Sequence, residues 1–505
     1  MTATTSFGPW RAKLWPIHNY ELKKILPMTF MFALMLFTYT ILRDTKDTLV
    51  VSECGNYVIP YLKFWGVLPA AIIVLICYSK LSNLLSKPAL FYSTVLPFVG
   101  FFALFAWVLY PARESLQPDA FCNYLESYIP KMKGLTDSIR HWTFSLFYIM
   151  AELWGSVIIM AFWTFANDTT KTSESKRIYT VFPLFGNLAL IPSGGLIIWC
   201  STYPQSLGLS DPWQFSLNYL MGMAITAGLL IVGIYYWINK NVLTDARLYS
   251  LDEQKQAKKS KPKLSMKESF KLLIKNKYLG YIAILVMAYG ITINLVEVTW
   301  KGQLKLQFPV KNEYSAFMGL FSMWTGFSTF LITFFLGGPI FRKLSWSKVA
   351  QITPVMIIVT GALFFSLMLF KEPLSPFIAL FGTTPLWLSV LMGMIQNIGS
   401  KGSKYSFFDP TKEQAYIPLP QEEKIKGKAA IDVVGARLGK SGGSLIQMGL
   451  DFSSHKLPLI AFSMLSMCVI WISAARALGR RYTALLKSKQ TADQKKTNET
   501  KTCQA

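Results

Sequence analysis

Apolar segments about 20 residues long recur along almost the whole 505-residue chain. A segment of that length crosses a bilayer as a helix, because in lipid every backbone polar group must find its partner within the segment. The runs lie near 26–44, 58–79, 89–110, 142–166, 179–202, 214–238, 277–299, 315–340, 349–370, 375–398, 429–450 and 456–477, about twelve spans in all. Only 15% of residues are charged and 52% are hydrophobic, whereas a soluble domain carries about 25% charged residues. The chain reads as an all-α polytopic membrane protein. The first and eleventh runs are interrupted by charges and depart most from an ordinary span.

The formal net charge of +24 is assigned to cytoplasmic loops and anionic lipid, not to nucleic acid. Lys and Arg gather in the N-terminal segment, in "CYSKLSNLLSK", in "KTSESKR", in "FRKLSWSK", in "QEEKIKGK" and after Arg476, while "STYPQSLGLSD" and "KEPLSP" carry little positive excess. The positive-inside rule then places both termini in the cytoplasm. Residues 1–25 form a cytoplasmic N-terminal segment with no signal peptide, because no small-residue cleavage site follows the first apolar run. A polar, Lys-rich linker at 240–276 separates a six-span half at 26–239 from a second at 277–478, a spacing that suggests parallel repeats around a central cavity. Residues 479–505 end in "SKQTADQKKTNETKTCQA", polar enough to predict a disordered cytoplasmic tail.

Six Cys without CxxC spacing and three His argue against a metal site and a disulfide scaffold. Cys54 and Cys122 both fall in loops placed outside, which leaves a bridge between them open.

Ionisable residues inside a span cost at least ~2.5–3.5 kcal/mol and usually face a bundle interior or water. In "YTILRDTKDTLVV" a helix continued to Val51 places Arg43, Lys46 and Asp47 on neighbouring turns, with Asp44 and Asp47 as partial counter-charges. These cations are either snorkelling residues at a helix end or a wall for an anion. Glu152 sits mid-span in "YIMAELWGSVIIMAFW" and must pair, protonate or face water. In "GITINLVEVTWKGQLK" Asn294 and Glu297 share a face, and Lys301 offers Glu297 an intrahelical partner. The eleventh run, "KGKAAIDVVGARLGKSGGSLIQMGLDF", carries Lys426, Lys428, Asp432, Arg437 and Lys440. Its Gly435 and Gly439 make a GxxxG step for close packing, and Gly442 and Gly443 are expected to unwind the helix.

Gly439-Lys440-Ser441 also looks like the end of a phosphate-binding P-loop. That motif needs a glycine where Val434 stands, a preceding strand and a surrounding α/β domain. None is present in the sequence, so hydrolase chemistry is rejected. A Lys and an Arg beside glycines remain suited to holding phosphate.

Residues 407–444, "FFDPTKEQAYIPLPQEEKIKGKAAIDVVGARLGKSGGS", closely resemble the signature of the ATP/ADP antiporters of obligate intracellular bacteria and plastids. "FALMLFTYTILRDTKDTLVV", "WGSVIIMAFWTFANDTT", "SKRIYTVFPLFGNLALIPSG" and "NLVEVTWK" match further blocks, and the similarity runs from about residue 20 to 480. The resemblance implies a major-facilitator-like fold of two six-helix halves, working without a cofactor. It implies exchange of host ATP for internal ADP, usually with phosphate, across a bacterial inner membrane. A monomer in the lipid bilayer is compatible with it.

Four positions important in that family correspond to Lys46, Glu152, Glu297 and Lys440. On this reading Lys46, Arg43, Arg437 and Lys440 bind the phosphates. Glu152, Glu297 and Asp432 pair with the cations and gate the site, and Asn294 and Lys428 are second-tier polar groups. Paralogues carry other nucleotides, some with protons, so proton-coupled import of another nucleotide stays open. A drug or sugar exporter fits the intramembrane cations poorly. A membrane-embedded nucleotide-using enzyme lacks any visible nucleophile, His/Asp pair or metal cluster.

Overall fold

The computed structural model describes residues 17–170, 174, 178–179, 181–209, 211–244, 276–420, 423–424, 427–428, 431 and 435–502, with backbone alone at 338 and 489–502. The expected Lys-rich linker therefore lies mostly outside the described residues, as does Asp432.

Among the described residues ten helices are long and apolar enough to cross a membrane. They include α1 (Leu22–Glu53), α2 (Val58–Leu84), α3 (Lys87–Leu109), α6 (Trp142–Thr169), α7 (Val181–Ser206) and α8 (Pro212–Asn241). The others are α9 (Lys277–Gln307), α10 (Lys311–Leu331, continuing to Lys343), α11 (Trp346–Leu369) and α16 (Lys456–Thr502). Their outer faces expose Trp65, Ile73, Trp107, Leu229, Val359, Phe462 and Val469, the pattern of helices solvated by lipid tails. The segment after α3 folds into α4 (Asp119–Tyr128) and α5 (Lys133–Arg140). Cys122 on α4 and Cys54 at the end of α1 are both buried free thiols, so the bridge left open by the sequence is not formed.

The run expected at 375–398 is not one helix. It divides into α12 (Lys371–Ala379) and α13 (Pro385–Ser403). Gly382 between them has φ +68°, and Thr384 caps the following Pro-led helix by accepting from the Trp387 N–H at 3.1 Å. α13 is too polar to count among the ten, yet its Ser389, Gln396, Asn397 and Ser400 are buried. Hydropathy fails here because this face meets protein and not lipid.

Beyond α14 (Asp409–Tyr416), the eleventh run forms a 15-residue helix, α15 (Ala436–Leu450). It passes unbroken through Gly442 and Gly443, contrary to the expected unwinding. The last helix continues to Thr502, where composition predicted disorder. After Gly479 that stretch has no Gly or Pro and is rich in Lys, a good helix former, alongside Thr, a weaker one.

Two compact units result, one of Met1–Lys261 with Phe308–Phe330, the other of Pro262–Gln307 with Leu331–Ala505. The body of α10 thus packs with the first unit although it follows the linker in sequence. The cause is a close backbone approach: a Cβ on Gly194 would lie 2.4 Å from the Gly319 carbonyl oxygen. In the first unit α1 is the central helix, contacting α6, α7 and α8. In the second, α9 takes that part, contacting α13, α15 and α16.

Candidate functional site

In the first unit the charges of α1 converge as their spacing predicted, because the helix stays regular through Glu53. Arg43 donates from Nε to Asp44 Oδ1 at 2.8 Å and from a terminal nitrogen to the Ser322 hydroxyl. That hydroxyl in turn donates to the second Asp44 oxygen. Lys46 Nζ lies 2.8 Å from Asp47 Oδ1, 3.1 Å from Glu152 Oε1 and 3.9 Å from the Tyr148 ring centre. The Lys46 side chain is 2% exposed and that of Glu152 21%. Trp154 fixes the register of α6 on α1 by donating to the Thr38 hydroxyl at 3.1 Å. Gly155, one residue on, admits the Tyr39 ring, which a Cβ there would meet at 2.4 Å.

These five charged side chains comprise two cations and three carboxylates. The expected cationic wall is therefore neutralised in this arrangement. The reason is that a buried charge without a partner costs several kcal/mol. Arg43 is locked between Asp44 and Ser322, whereas Glu152 is the partly exposed partner of Lys46 and the one best able to let go.

Removing one partner should expose that dependence. Lys46→Met takes a 2.8 Å ion-pair partner from buried Asp47 and is expected to cost about 3–5 kcal/mol of stability. Lys46→Met combined with Asp47→Asn and Glu152→Gln should recover most of it, read as thermal unfolding in detergent. Equal unfolding temperatures for the single variant and the wild type would refute the assignment.

In the second unit α9 carries Glu297, whose Oε1 lies 3.1 Å from Lys301 Nζ, with the Lys301 side chain 1% exposed. The intrahelical pair suggested by spacing is thus formed. Trp300 holds α9 to α13 by donating to the Val390 carbonyl at 2.9 Å.

On the opposite side α9 and α15 meet at glycine. A Cβ on Gly439 would fall 2.8 Å from the Met287 carbonyl oxygen, and one on Gly290 2.9 Å from Gly439 Cα. A Cβ on Gly443 would meet Asn294 at 3.0 Å, whereas one on Gly435 would touch, among the described residues, only Ile431 of its own segment at 3.8 Å. The packing step is therefore Gly439–Gly443, not Gly435–Gly439. The glycines that were expected to unwind the helix include one that lets α9 approach it.

Asn294 completes this seam. Its amide donates to the Lys440 carbonyl at 3.1 Å and the Ser444 hydroxyl at 3.0 Å. Gln447 returns a hydrogen bond to the Asn294 carbonyl at 3.2 Å. Asn294 is thus a buried clamp that fixes the position of Lys440. The Lys440 side chain is exposed and that of Arg437 half-buried on the same helix. Interior helical N–H groups already bond carbonyls of their own helix, so this GKS cannot form the open amide cradle of a P-loop.

Lys428 is placed elsewhere, in a half-exposed pair with Glu413, where an ion pair contributes little. The sequence reading missed three groups. Ser322 is an uncharged hydroxyl in an apolar run and gave no signal. Lys404 is bound to Asp409 at 2.7 Å, with its ammonium 4.5 Å from the Tyr405 ring centre. A Lys and an Asp five apart were legible there, but the helix end was not. Gln396 on α13 is fully buried, with neither carboxamide atom hydrogen-bonded.

Known proteins resemble this chain in sequence and in fold. Residues 1–482 match the family described as TLC ATP/ADP transporter. The chain is 51% identical to ADP,ATP carrier protein 1 of Chlamydia pneumoniae, over 96% of both chains. It is 45% identical to the chloroplastic ADP,ATP carrier protein 2 of Arabidopsis thaliana, over 97% of this chain and 79% of that one. A crystal structure of a D-xylose-proton symporter matches 91% of this chain and 97% of its own with a TM-score of 0.57. At 14% identity that likeness speaks for a shared, major-facilitator-like fold alone. By end-to-end sequence match and by its helical architecture, the chain belongs to the TLC ATP/ADP transporter family and is a multi-pass membrane transporter, not an enzyme.

Proposed function

We propose that the protein exchanges ATP for ADP, with phosphate accompanying ADP, and imports host ATP into an intracellular bacterium by alternating access. The observation that carries this reading is the 51% identity to a Chlamydia ADP,ATP carrier over nearly the whole chain. The site is in keeping with it. Arg437 and Lys440 supply the planar fork and point charge that suit a phosphate chain. In the first unit, Lys46 becomes available to an anion when Glu152 releases it, and low dielectric strengthens such contacts. Glu297 and Lys301 form the corresponding releasable pair of the second unit. Arg43 serves by holding Asp44, and Asp432 is assigned a gating role from its place in the motif. The basic loops support an inner-membrane location with both termini cytoplasmic.

Labelled ATP should enter proteoliposomes preloaded with ADP, faster still when phosphate is inside, and should not enter empty ones. Equal uptake into empty vesicles would overturn obligatory exchange. One observation favours a second reading, proton-coupled uptake of a nucleotide. Arg43 and Lys46 are paired with three carboxylates, Asp44, Asp47 and Glu152, so Glu152 could carry a proton. Uptake driven by a pH gradient without internal nucleotide would select that reading.

A further inference from the structure

A second site lies apart from these charges, in the first unit, where α2, α3, α6 and α8 leave a cavity of about 140 Å³. Its walls include Tyr78, Phe91, Phe165 and Tyr235, with Phe91 and Tyr235 stacked at 3.8 Å. Its charged groups are Lys87 and Asp168, paired at 2.8 Å and both partly exposed, with Thr164 and Asn239 among its other polar side chains. Lys87 is the first residue of α3 and Asp168 the last but one of α6. The cavity therefore sits at the level where spanning helices end, which is the headgroup level of a bilayer. A cavity of ~150 Å³ holds a molecule the size of benzene, so this one takes a small group and excludes a nucleotide.

The charges identify that group. A cation and an anion side by side give no net attraction for a purely anionic headgroup. They match a zwitterion whose phosphate faces Lys87 and whose cation faces Asp168. The start of α3 favours the phosphate and the end of α6 favours the cation, since helix dipoles are positive at N-termini and negative at C-termini. An ammonium that donates hydrogen bonds to the Asp168 carboxylate binds it better than a quaternary one that cannot. The aromatic wall takes the adjoining glycerol and acyl carbons. We infer that this cavity is a binding site for the phosphoethanolamine headgroup of a membrane lipid, recognised by Lys87 and Asp168.

The test uses the full chain, purified in detergent and offered phosphatidylethanolamine, phosphatidylcholine or phosphatidylglycerol of one acyl composition. Retained lipid is counted by native mass spectrometry. Phosphatidylethanolamine is expected to be retained about five-fold over phosphatidylcholine, as for one charge-assisted hydrogen bond at a partly exposed site. Asp168→Asn should abolish the preference, and Lys87→Met should weaken both lipids alike. N-methylated phosphatidylethanolamines, which need no variant, should bind progressively less as N–H donors are removed. Equal retention of the parent lipid and its trimethylated form would overturn the inference. Wild-type selectivity in Asp168→Asn would do the same. Displacement of the lipid by soluble phosphoethanolamine would reassign the cavity to a free small molecule.

Discussion

Lys440→Ala is expected to lower exchange of labelled ATP against internal ADP by about 100-fold, the equivalent of ~3 kcal/mol for a charge-assisted contact. The geometry makes this substitution clean. The contact that fixes α15 on α9 uses the Lys440 carbonyl, not its ammonium, and Asn294 keeps it at 3.1 Å in the variant. Truncation removes an exposed side chain from a helix whose other face holds the seam. Insertion and thermal unfolding should therefore stay near wild type while transport is lost. Lys440→Arg keeps the charge and should retain part of the activity, less than a simple charge argument implies, because a planar fork replaces a point charge. Correctly inserted Lys440→Ala that exchanges at a near-normal rate would remove Lys440 from the phosphate-binding set. If the wild type itself fails to exchange, the proposed function is wrong before any residue is tested.

Gly439→Val should be the most damaging small substitution in the second unit. Its Cβ would stand 2.8 Å from the Met287 carbonyl oxygen and 3.0 Å from Met287 Cα. Both are backbone, so no side chain can swing away and the helices must separate. Overpacking costs about 1–3 kcal/mol. The hydrogen bonds from Asn294 and Gln447 that cross the seam add ~1 kcal/mol each when broken. A loss of about 4–6 kcal/mol is of the order of a whole domain's stability, and little folded protein should be recovered after detergent extraction. Gly435→Ala is the control, because among the described residues a Cβ there finds only Ile431 at 3.8 Å. A packing step at Gly435–Gly439 predicts that both substitutions fail; the observed seam predicts that only the first does. Equal recovery of the two variants would show that the α9–α15 approach is not as close as described.

Much of the site could be read from spacing. Arg43, Lys46 and Asp47 are turn-neighbours on any helix that continues past them, and Glu297 and Lys301 are four apart. Such pairs are local, and helical periodicity determines them. Lys46–Glu152 was legible only as two charges that each required a partner; the 105 residues between them hide that they meet. Ser322 gave no sign at all, since a lone hydroxyl in an apolar run costs little and has no period. The spans failed where a helix faces protein on most sides. α13 buries Gln396, Asn397 and Ser400, and α15 is only 15 residues long, so neither has the apolar length that lipid demands.

By itself, the sequence determined that the chain is helical and crosses the membrane many times, because an isolated backbone in lipid has no other way to satisfy its polar groups. It also determined the family, through residues 407–444, and it excluded a P-loop, since Val434 stands where a glycine is required. Only the tertiary structure decided what the charges and glycines do. It turned the first unit's cations into a compensated network by bringing Asp44, Asp47, Glu152 and Ser322 to them. It moved the close helix contact from Gly435–Gly439 to Gly439–Gly443, and it made Asn294 a clamp. It joined α10 to the first unit across the linker, and it set Lys87 beside Asp168 over a cavity. All of these depend on which faces of distant helices meet. A Coulombic pair or a glycine contact acts over a few ångströms, whatever the separation along the chain.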